Sequence, residues 1–517
     1  MVLAAEEKGL TSDDPVHEYV MAAAERICST LRGAFLPFLP RLLPAVLGKL
    51  SLSPKEVDEG QAKLEEDDDV EISVVQGASG EAKIMVMQVS ELEDLQHAIE
   101  CLHTFVEKLG KGYAPFVVTT AQALLPTFEF SMSEEVRDLA FETWGQLCHC
   151  AREGGNLQLV SELVLEFLKR ILPQLEGADD AGVDTLKTRT DGVSSCLREA
   201  GPEVLSNEQV RHVCQVSLRL IKAYSTRCSE QPALDLATDT DTEDDDETDK
   251  EELRQSACNC ITVVMMQHPG VFLVEGLPLC WPILQGLLQP SSAVVDRRLG
   301  LYMASSLCQH VGEQVVPYWP GFMPQVLQDI QCQHAELRSP ACYAASFAAR
   351  QVSFAIHAME TAQRLAQVVV EARARVKSKS ARTAQMAADN ALSALLEILL
   401  HHEATLAAAR VQLWGAWVGG LPCQEDEAEG IRNHAALLQL LQQRKPEVLC
   451  TAGVPRLLAI LVDVYQTRMV DEVTSWGIGQ LLGAVGEAQL VHHAVLFTEK
   501  QRKKLLRIVR DERRAQS

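Results

Sequence analysis

Apolar residues recur at every third and fourth position along nearly the whole chain, and this spacing restricts the fold more than any other feature. Leu95, Ala98, Ile99, Leu102, Phe105, Val106 and Leu109 form one such stripe. Val136, Ala140, Phe141, Trp144, Leu147, Cys148 and Ala151 form the next, and Val164, Phe167, Leu168, Ile171, Leu172 and Leu175 a third. A period of 3.6 residues places each set on one face of an α-helix. Helices of about 15–20 residues therefore recur, joined by short polar or Gly/Pro links. One amphipathic pair cannot bury its own stripe, but a stack of pairs can, so the pattern predicts an array. Leu, Ala and Val supply most of the apolar content, and aromatic residues make up only 5%. That balance favours helix over sheet.

Prolines suggest the repeat length. Leu36–Pro44 (LPFLPRLLP), Leu277–Leu284 (LPLCWPIL) and Val316–Pro324 (VPYWPGFMP) each read as the opening of a helix, because proline loses nothing in the first turn. Pro278 and Pro317 are 39 residues apart, and Pro37 and Pro115 are 78 apart. The expected fold is all-α, a right-handed α-solenoid of HEAT/ARM-type helix pairs, about 11–12 of them. Helical repeats are expected at 1–55, 91–234 and 253–498.

Two segments interrupt the pattern. Residues 56–90 hold Glu65-Glu66-Asp67-Asp68-Asp69, then Val70, Ile72 and Val74, a Gly77–Gly80 turn, and Ile84 and Val86. Alternation about a glycine turn predicts a small β-hairpin. Residues 235–252 contain 11 acidic residues and one lysine, including Asp239, Asp241, Glu243, Asp244, Asp245, Asp246 and Glu247. Like charges at this density repel, so the expectation is a disordered loop. It reads either as a solvated linker or as an anionic arm that contacts basic cargo. Residues 499–517 are basic from Lys500 to Arg507. They read either as a localisation signal or as a capping helix that turns Leu505, Leu506, Ile508 and Val509 toward the array.

Chemistry is sparse. The motifs G-x-x-x-x-G-K-[ST], G-x-G-x-x-G and G-x-S-x-G are absent, so neither an enzyme nor a cofactor is expected. Cys148-His149-Cys150 is the nearest approach to a metal cluster, yet adjacent helical residues point about 100° apart and cannot converge on one ion. His401-His402 and His492-His493 fail for the same reason. The 15 cysteines lack a C-x-x-C pair and read as small core residues in a reducing compartment. A net charge of −24 disfavours nucleic acid and suits basic proteins. No uncharged apolar run of about 18 residues is present, so no membrane span is expected. Six tryptophans, Trp144, Trp281, Trp319, Trp414, Trp417 and Trp476, read as packing between repeats, with Trp414 and Trp417 as candidate surface anchors for a partner.

The order of these features resembles the importin-β (karyopherin-β) superfamily, closest to its importin four/five branch, also called karyopherin beta-3. The LP-x-LP-type helix, the acidic insert with its hairpin (Asp67–Val86), the acidic run (Asp239–Glu252) and the Leu277–Leu284 turn come in the family's order. Asp296-Arg297-Arg298-Leu299-Gly300-Leu301 is similar to its D-R/K-x-x-G-L repeat opening. Trp414-Gly415-Ala416-Trp417, Leu421-Pro422 and Glu425-Asp426-Glu427-Ala428 are similar to its W-x-x-W, LP and acidic segment. Receptors of this branch are about twice as long, so the chain resembles their C-terminal half. The resemblance implies a nuclear import receptor shuttling between cytoplasm and nucleus. It implies basic cargo such as ribosomal proteins and histones, nucleoporin contacts, and release by the GTPase Ran, bound mainly by an N-terminal half. The alternative is a generic HEAT-repeat scaffold with a permanent partner.

Overall fold

A computed structural model describes residues 16–57, 70–76, 82–177, 182–202, 204–225, 241–374, 379–485, 490 and 492–516. The chain divides into two compact units, one reaching to Leu279 and the other running from Cys280.

The first unit opens with α1 (Val16–Leu31), α2 (Leu39–Lys49) and three strands, β1 (Lys55–Val57), β2 (Val70–Gln76) and β3 (Ala82–Gln88). It continues with α3 (Val89–Leu109), α4 (Val117–Leu124), α5 (Glu134–Glu153), α6 (Leu157–Glu176), α7 (Val183–Ala200), α8 (Asn207–Ala223) and α9 (Asp241–Gln267). The helices form two layers. In the first layer α1, α3, α5, α7 and α9 pack successively side by side. The second layer holds α2, α4 with its flanking 3₁₀ turns, α6, α8 and the helical stretch Pro269–Gly276. The predicted stripes point between the layers. Phe128 from the second layer meets Phe141 and Trp144 of α5 and Phe167 of α6 in edge-on ring contacts 4.8 to 5.8 Å apart. Burying each such ring contributes about 1.5–3 kcal/mol. Caps delimit the helices. Ser133 accepts from the Val136 N–H at 3.2 Å, and Ser206 and Gln209 form a reciprocal capping box on α8.

The hairpin is present. β2 and β3 pair antiparallel with Ile72 opposite Val86 and Val74 opposite Ile84. β1 adds a third strand on the far side of β3, one that three residues of sequence could not announce. The Gly77–Gly80 turn and Glu65–Asp69 lie outside the described residues.

After α10 (Leu277–Leu287) the second unit repeats the two-layer plan. Its first layer is α11 (Val294–Ser306), α13 (Ala335–Ala348), α15 (Lys379–His401), α17 (Glu427–Gln442) and α19 (Glu472–Ala484). Its second layer is the 3₁₀ turn Gly312–Gly321 with α12 (Met323–Asp329), then α14 (Ala355–Arg373), α16 (Arg410–Gly420), α18 (Pro446–Val464) and α20 (Glu499–Gln516). Asp389, fully buried in α15, ties three elements together. One oxygen takes the Arg373 guanidinium of α14 at 2.8 Å. The other accepts the backbone N–H groups of Gln424, Glu425 and Asp426 at 2.8 to 3.1 Å, fixing the turn that leads into α17.

Several sequence expectations are corrected here. Ten helix pairs are found among the described residues, and from Val89 onward their first helices start 41 to 58 residues apart rather than 39. The prolines misled because they are not equivalent. Pro40 and Pro324 sit in first turns, whereas Pro317 lies inside a 3₁₀ turn. Pro278 follows a helical stretch that began at Pro269. Residues 241–252, expected as part of a disordered loop, are the start of α9. In α20, Leu505 and Ile508 are buried, but Leu506 is 65% exposed, because one helical step rotates it about 100° from Leu505. Among the described residues one helical stretch, Pro269–Leu287, is long and apolar enough to cross a membrane by length and composition. It carries Glu275, bonded to Arg211 of α8 at 2.9 Å.

Candidate protein-binding surface

The layers differ in charge. In the first unit, α1, α3, α5, α7 and α9 hold 24 Asp and Glu against 9 Lys and Arg. The second layer of the same unit holds 6 against 8. In the second unit the counts are 7 against 6 and 9 against 12. The negative charge of the helices is therefore concentrated on one layer of one unit. Each first-layer helix spends its apolar stripe on the interlayer core, which leaves the opposite stripe free to carry carboxylates.

The start of α9 supplies nine of those carboxylates. Isolated, Asp241–Glu252 would repel itself, since like charges four residues apart each cost about 0.2–0.5 kcal/mol. It is helical because Leu253, Ala257, Cys258 and Ile261, all buried, already hold the helix against its neighbours. Adding turns to an existing helix avoids the nucleation cost, and acidic residues suit a helix N-terminus. Lys187 of α7 pairs with Glu252 at 2.6 Å, and Lys250 with Glu247 at 3.3 Å. Of the candidate arm, Asp239 lies outside the described residues, the backbone of Asp241, Glu243, Asp244, Asp245 and Asp246 is helical, and Glu247 is exposed.

Asp138 of α5 sits inside this layer, 3.8 Å from the Arg189 guanidinium. Burial pushes its carboxyl up to about 6 although Arg189 opposes the shift. Glu135 and Glu142 lie exposed on either side of it along the same helix.

The tryptophan anchors are not at the surface. Trp414 and Trp417 are fully buried in α16, 5.6 Å apart edge to face. Trp417 Nε1 donates to Asn433 Oδ1 at 2.9 Å. They face the interlayer core because both belong to the apolar stripe of α16. Trp476 of α19 is the tryptophan that is 66% exposed, beside Val473 at 77%. Composition offered no signal to separate it from the others. Cys148 and Cys150 are buried, and His149 bonds Glu199 at 3.1 Å. Among the described residues no cluster of three or more His, Cys, Asp or Glu is placed to hold a metal. His402 Nε2 donates to the Ala349 carbonyl at 2.8 Å, and His492 and His493 pack against each other.

No protein-family model matches the chain. Importin subunit beta-3 of Saccharomyces cerevisiae is 22% identical over 481 residues, which cover 91% of this chain and 43% of that protein. A probable importin-5 homolog of Dictyostelium discoideum is 22% identical over 440 residues, 81% of this chain and 38% of its own. The chain is thus similar in sequence to importin-β superfamily members of the importin beta-3 and importin-5 kind. A crystal structure of Kap121p bound to RanGTP matches this importin-like chain with a TM-score of 0.75 and 19% identity, over 98% of it and 45% of Kap121p. That likeness shows a HEAT-repeat fold. The importin-like chain spans less than half the length of the curated relatives it matches.

Proposed function

We propose that this chain is part of a nuclear transport receptor that carries basic proteins, ribosomal proteins and histones among them, between cytoplasm and nucleus. The observation that carries the reading is the likeness of 98% of the chain to Kap121p, whose solved complexes hold RanGTP, Nup53p and Pho4p. The receptor built on this chain takes cargo, nucleoporins and Ran-GTP as its partners, with Ran-GTP driving release. The basic cargo is met by the acidic first layer of the first unit, including the arm from Asp239 to Glu247. A polybasic cargo gains chiefly in capture rate from such a face.

The test is fluorescence anisotropy of a labelled histone with the chain at about 50 and 200 mM salt. Binding should weaken several-fold at the higher salt and weaken again in the Glu135→Lys/Glu142→Lys variant. No binding at low salt overturns the cargo reading. A single stoichiometric partner that co-purifies through about 0.5 M salt points instead to a permanent scaffold.

A further inference from the structure

The small sheet of the first unit has two edges of opposite character. β1 is three residues long, follows Pro54 and carries Lys55 and Glu56, both exposed. Glu56 accepts from Lys83 Nζ at 2.9 Å. Shortness, lysine and proline are among the devices that protect a sheet edge. β2, the other edge, has none of the three. It is seven residues long, Val-Glu-Ile-Ser-Val-Val-Gln. Its register against β3 runs unbroken from Val70 opposite Gln88 to Gln76 opposite Ala82, so no bulge turns the edge away.

β3 is held by Val86 and Met87, both buried, and passes directly into α3. That fixes the hairpin with β2 outermost. In an antiparallel ladder, alternate residues turn N–H and C=O toward the partner strand and the others turn them away. Among the described residues β3 is the one strand paired with β2, so about three or four residues of β2 direct both groups outward. A row of this kind is satisfied by another extended chain. The side chains narrow the partner. Val70, Ile72 and Val74 share one face, with Val74 67% exposed, and suit β-branched neighbours at alternate positions. Glu71, on the other face, is exposed and is in no ion pair among the described residues. In sequence the strand is preceded by Glu65-Glu66-Asp67-Asp68-Asp69. A second copy would bring the same acidic run and its own charge of −24, which opposes pairing of β2 with β2. A cationic strand gains where a second copy loses.

We infer that β2 takes up an extended basic peptide of another protein as a fourth strand, antiparallel as the rest of the sheet is. Its β-branched residues lie along Val70, Ile72 and Val74. Its Lys and Arg residues come last, because antiparallel pairing brings the C-terminal end of the peptide beside Glu71 and the start of β2. This edge lies outside the acidic helical layer, so it goes beyond the transport reading, and failure of one leaves the other standing.

Labelled probe peptides and the whole chain test it by fluorescence anisotropy in about 50 mM salt. The parent probe is Thr-Val-Thr-Val-Thr-Val-Lys-Arg-Lys. One derivative is N-methylated at its valines and the other at its threonines, which leaves charge and side chains alike. Only one alternate set of amides faces β2. One derivative should therefore bind like the parent, and the other at least about tenfold more weakly, through loss of two or more backbone hydrogen bonds. Amide hydrogen exchange over Val70–Gln76 should slow when the parent is added. Glu71→Lys should weaken binding several-fold with unchanged circular dichroism. No binding of the parent overturns the inference, as do equal affinities of the two derivatives, which mark capture by charge alone, and exchange over Val70–Gln76 that the parent leaves unchanged. A reversed probe with Lys-Arg-Lys first that binds as well also overturns it. Exchange there that slows with protein concentration alone assigns the edge to a second copy, and overturns it too.

Discussion

Replacing Asp389 with Ala should cost more stability than any surface change on the chain. The carboxylate is fully buried and receives four donors, the Arg373 guanidinium and the N–H groups of Gln424, Glu425 and Asp426. Removing it takes the carboxylate from a guanidinium that is 16% exposed and leaves that cation on neutral acceptors, the Gly420 and Pro422 carbonyls and Gln385 Oε1. Breaking a buried pair by deleting one partner costs about 3–5 kcal/mol. Three orphaned N–H groups add about 1–3 kcal/mol each if they stay dry. Water entering the vacated space relieves most of that second cost, so we expect about 4 kcal/mol in all. Urea unfolding followed by tryptophan fluorescence is a suitable assay, since Trp281, Trp319, Trp414, Trp417 and Trp476 lie in the second unit and Trp144 alone in the first. With a slope of about 3 kcal/mol per molar, the midpoint should drop by about 1.3 M. Glu425→Ala is the control. It removes a pair with an Arg382 side chain that is 71% exposed, worth about 0–1 kcal/mol. A midpoint for Asp389→Ala no lower than that of the control would refute the reasoning.

Further predictions concern packing, pH and the acidic helix. Trp417→Ala should lose about 3–5 kcal/mol and Trp476→Ala less than about 0.5. Equal shifts in thermal unfolding would contradict the burial difference. Acidification should move the two units oppositely. His434, buried with Nε2 accepting the Cys423 N–H and Nδ1 donating to the Met469 carbonyl, is held below its usual value by burial. Its unfolded form therefore takes up the proton first, and stability is lost as pH falls below about 6.5. Asp138, raised to about 6, takes up its proton first in the folded state. Its contribution is fully present below about 3.9, the unfolded value, and lost as pH rises through about 6, by at most roughly 3 kcal/mol. His434→Gln and Asp138→Asn should each flatten one of these slopes in melting curves between about pH 5 and 7. Deleting residues 239–248 should leave circular dichroism nearly unchanged, because Leu253 and its buried neighbours keep α9 in place. A large loss of helix would show that the acidic turns support the fold.

Much of the fold can be read from single residues. The stripes through Leu95–Leu109, Val136–Ala151 and Val164–Leu175 are the buried faces of α3, α5 and α6, because local periodicity and burial have one cause. The alternation at Val70–Val74 likewise marks a true hairpin. The repeat length was not legible, since proline is equally at home in a first helical turn and in a 3₁₀ turn, and sequence does not distinguish Pro324 from Pro317. Local charge also misled at Asp241–Glu252, where repulsion argued for disorder and a helix anchored from Leu253 onward prevailed. Trp417 and Trp476 look alike in sequence. Only the packing of α16 against its neighbours, and the absence of such cover over α19 among the described residues, separates them.

Net charge is a poor guide to how a chain like this meets a partner. At physiological ionic strength, fields between exposed charges fade over about 8 Å, less than the width of one helix with its side chains, about 10–12 Å. An approaching protein therefore senses a layer, not the sum of −24. The second layer of the first unit and both layers of the second are close to neutral, while the first layer of the first unit is not. A two-layer repeat permits this because the interlayer core fixes only one stripe of each helix. The outer stripes on α3, α5 and α9 can accumulate exposed carboxylates such as Glu93, Glu135, Glu142 and Glu247, and the one on α20 can accumulate cations. If cargo recognition here followed net charge, reversing two glutamates anywhere on the surface would weaken it equally. If it follows the layers, Glu135 and Glu142 should matter, while Glu360 on α14 and Glu472 on α19 should not.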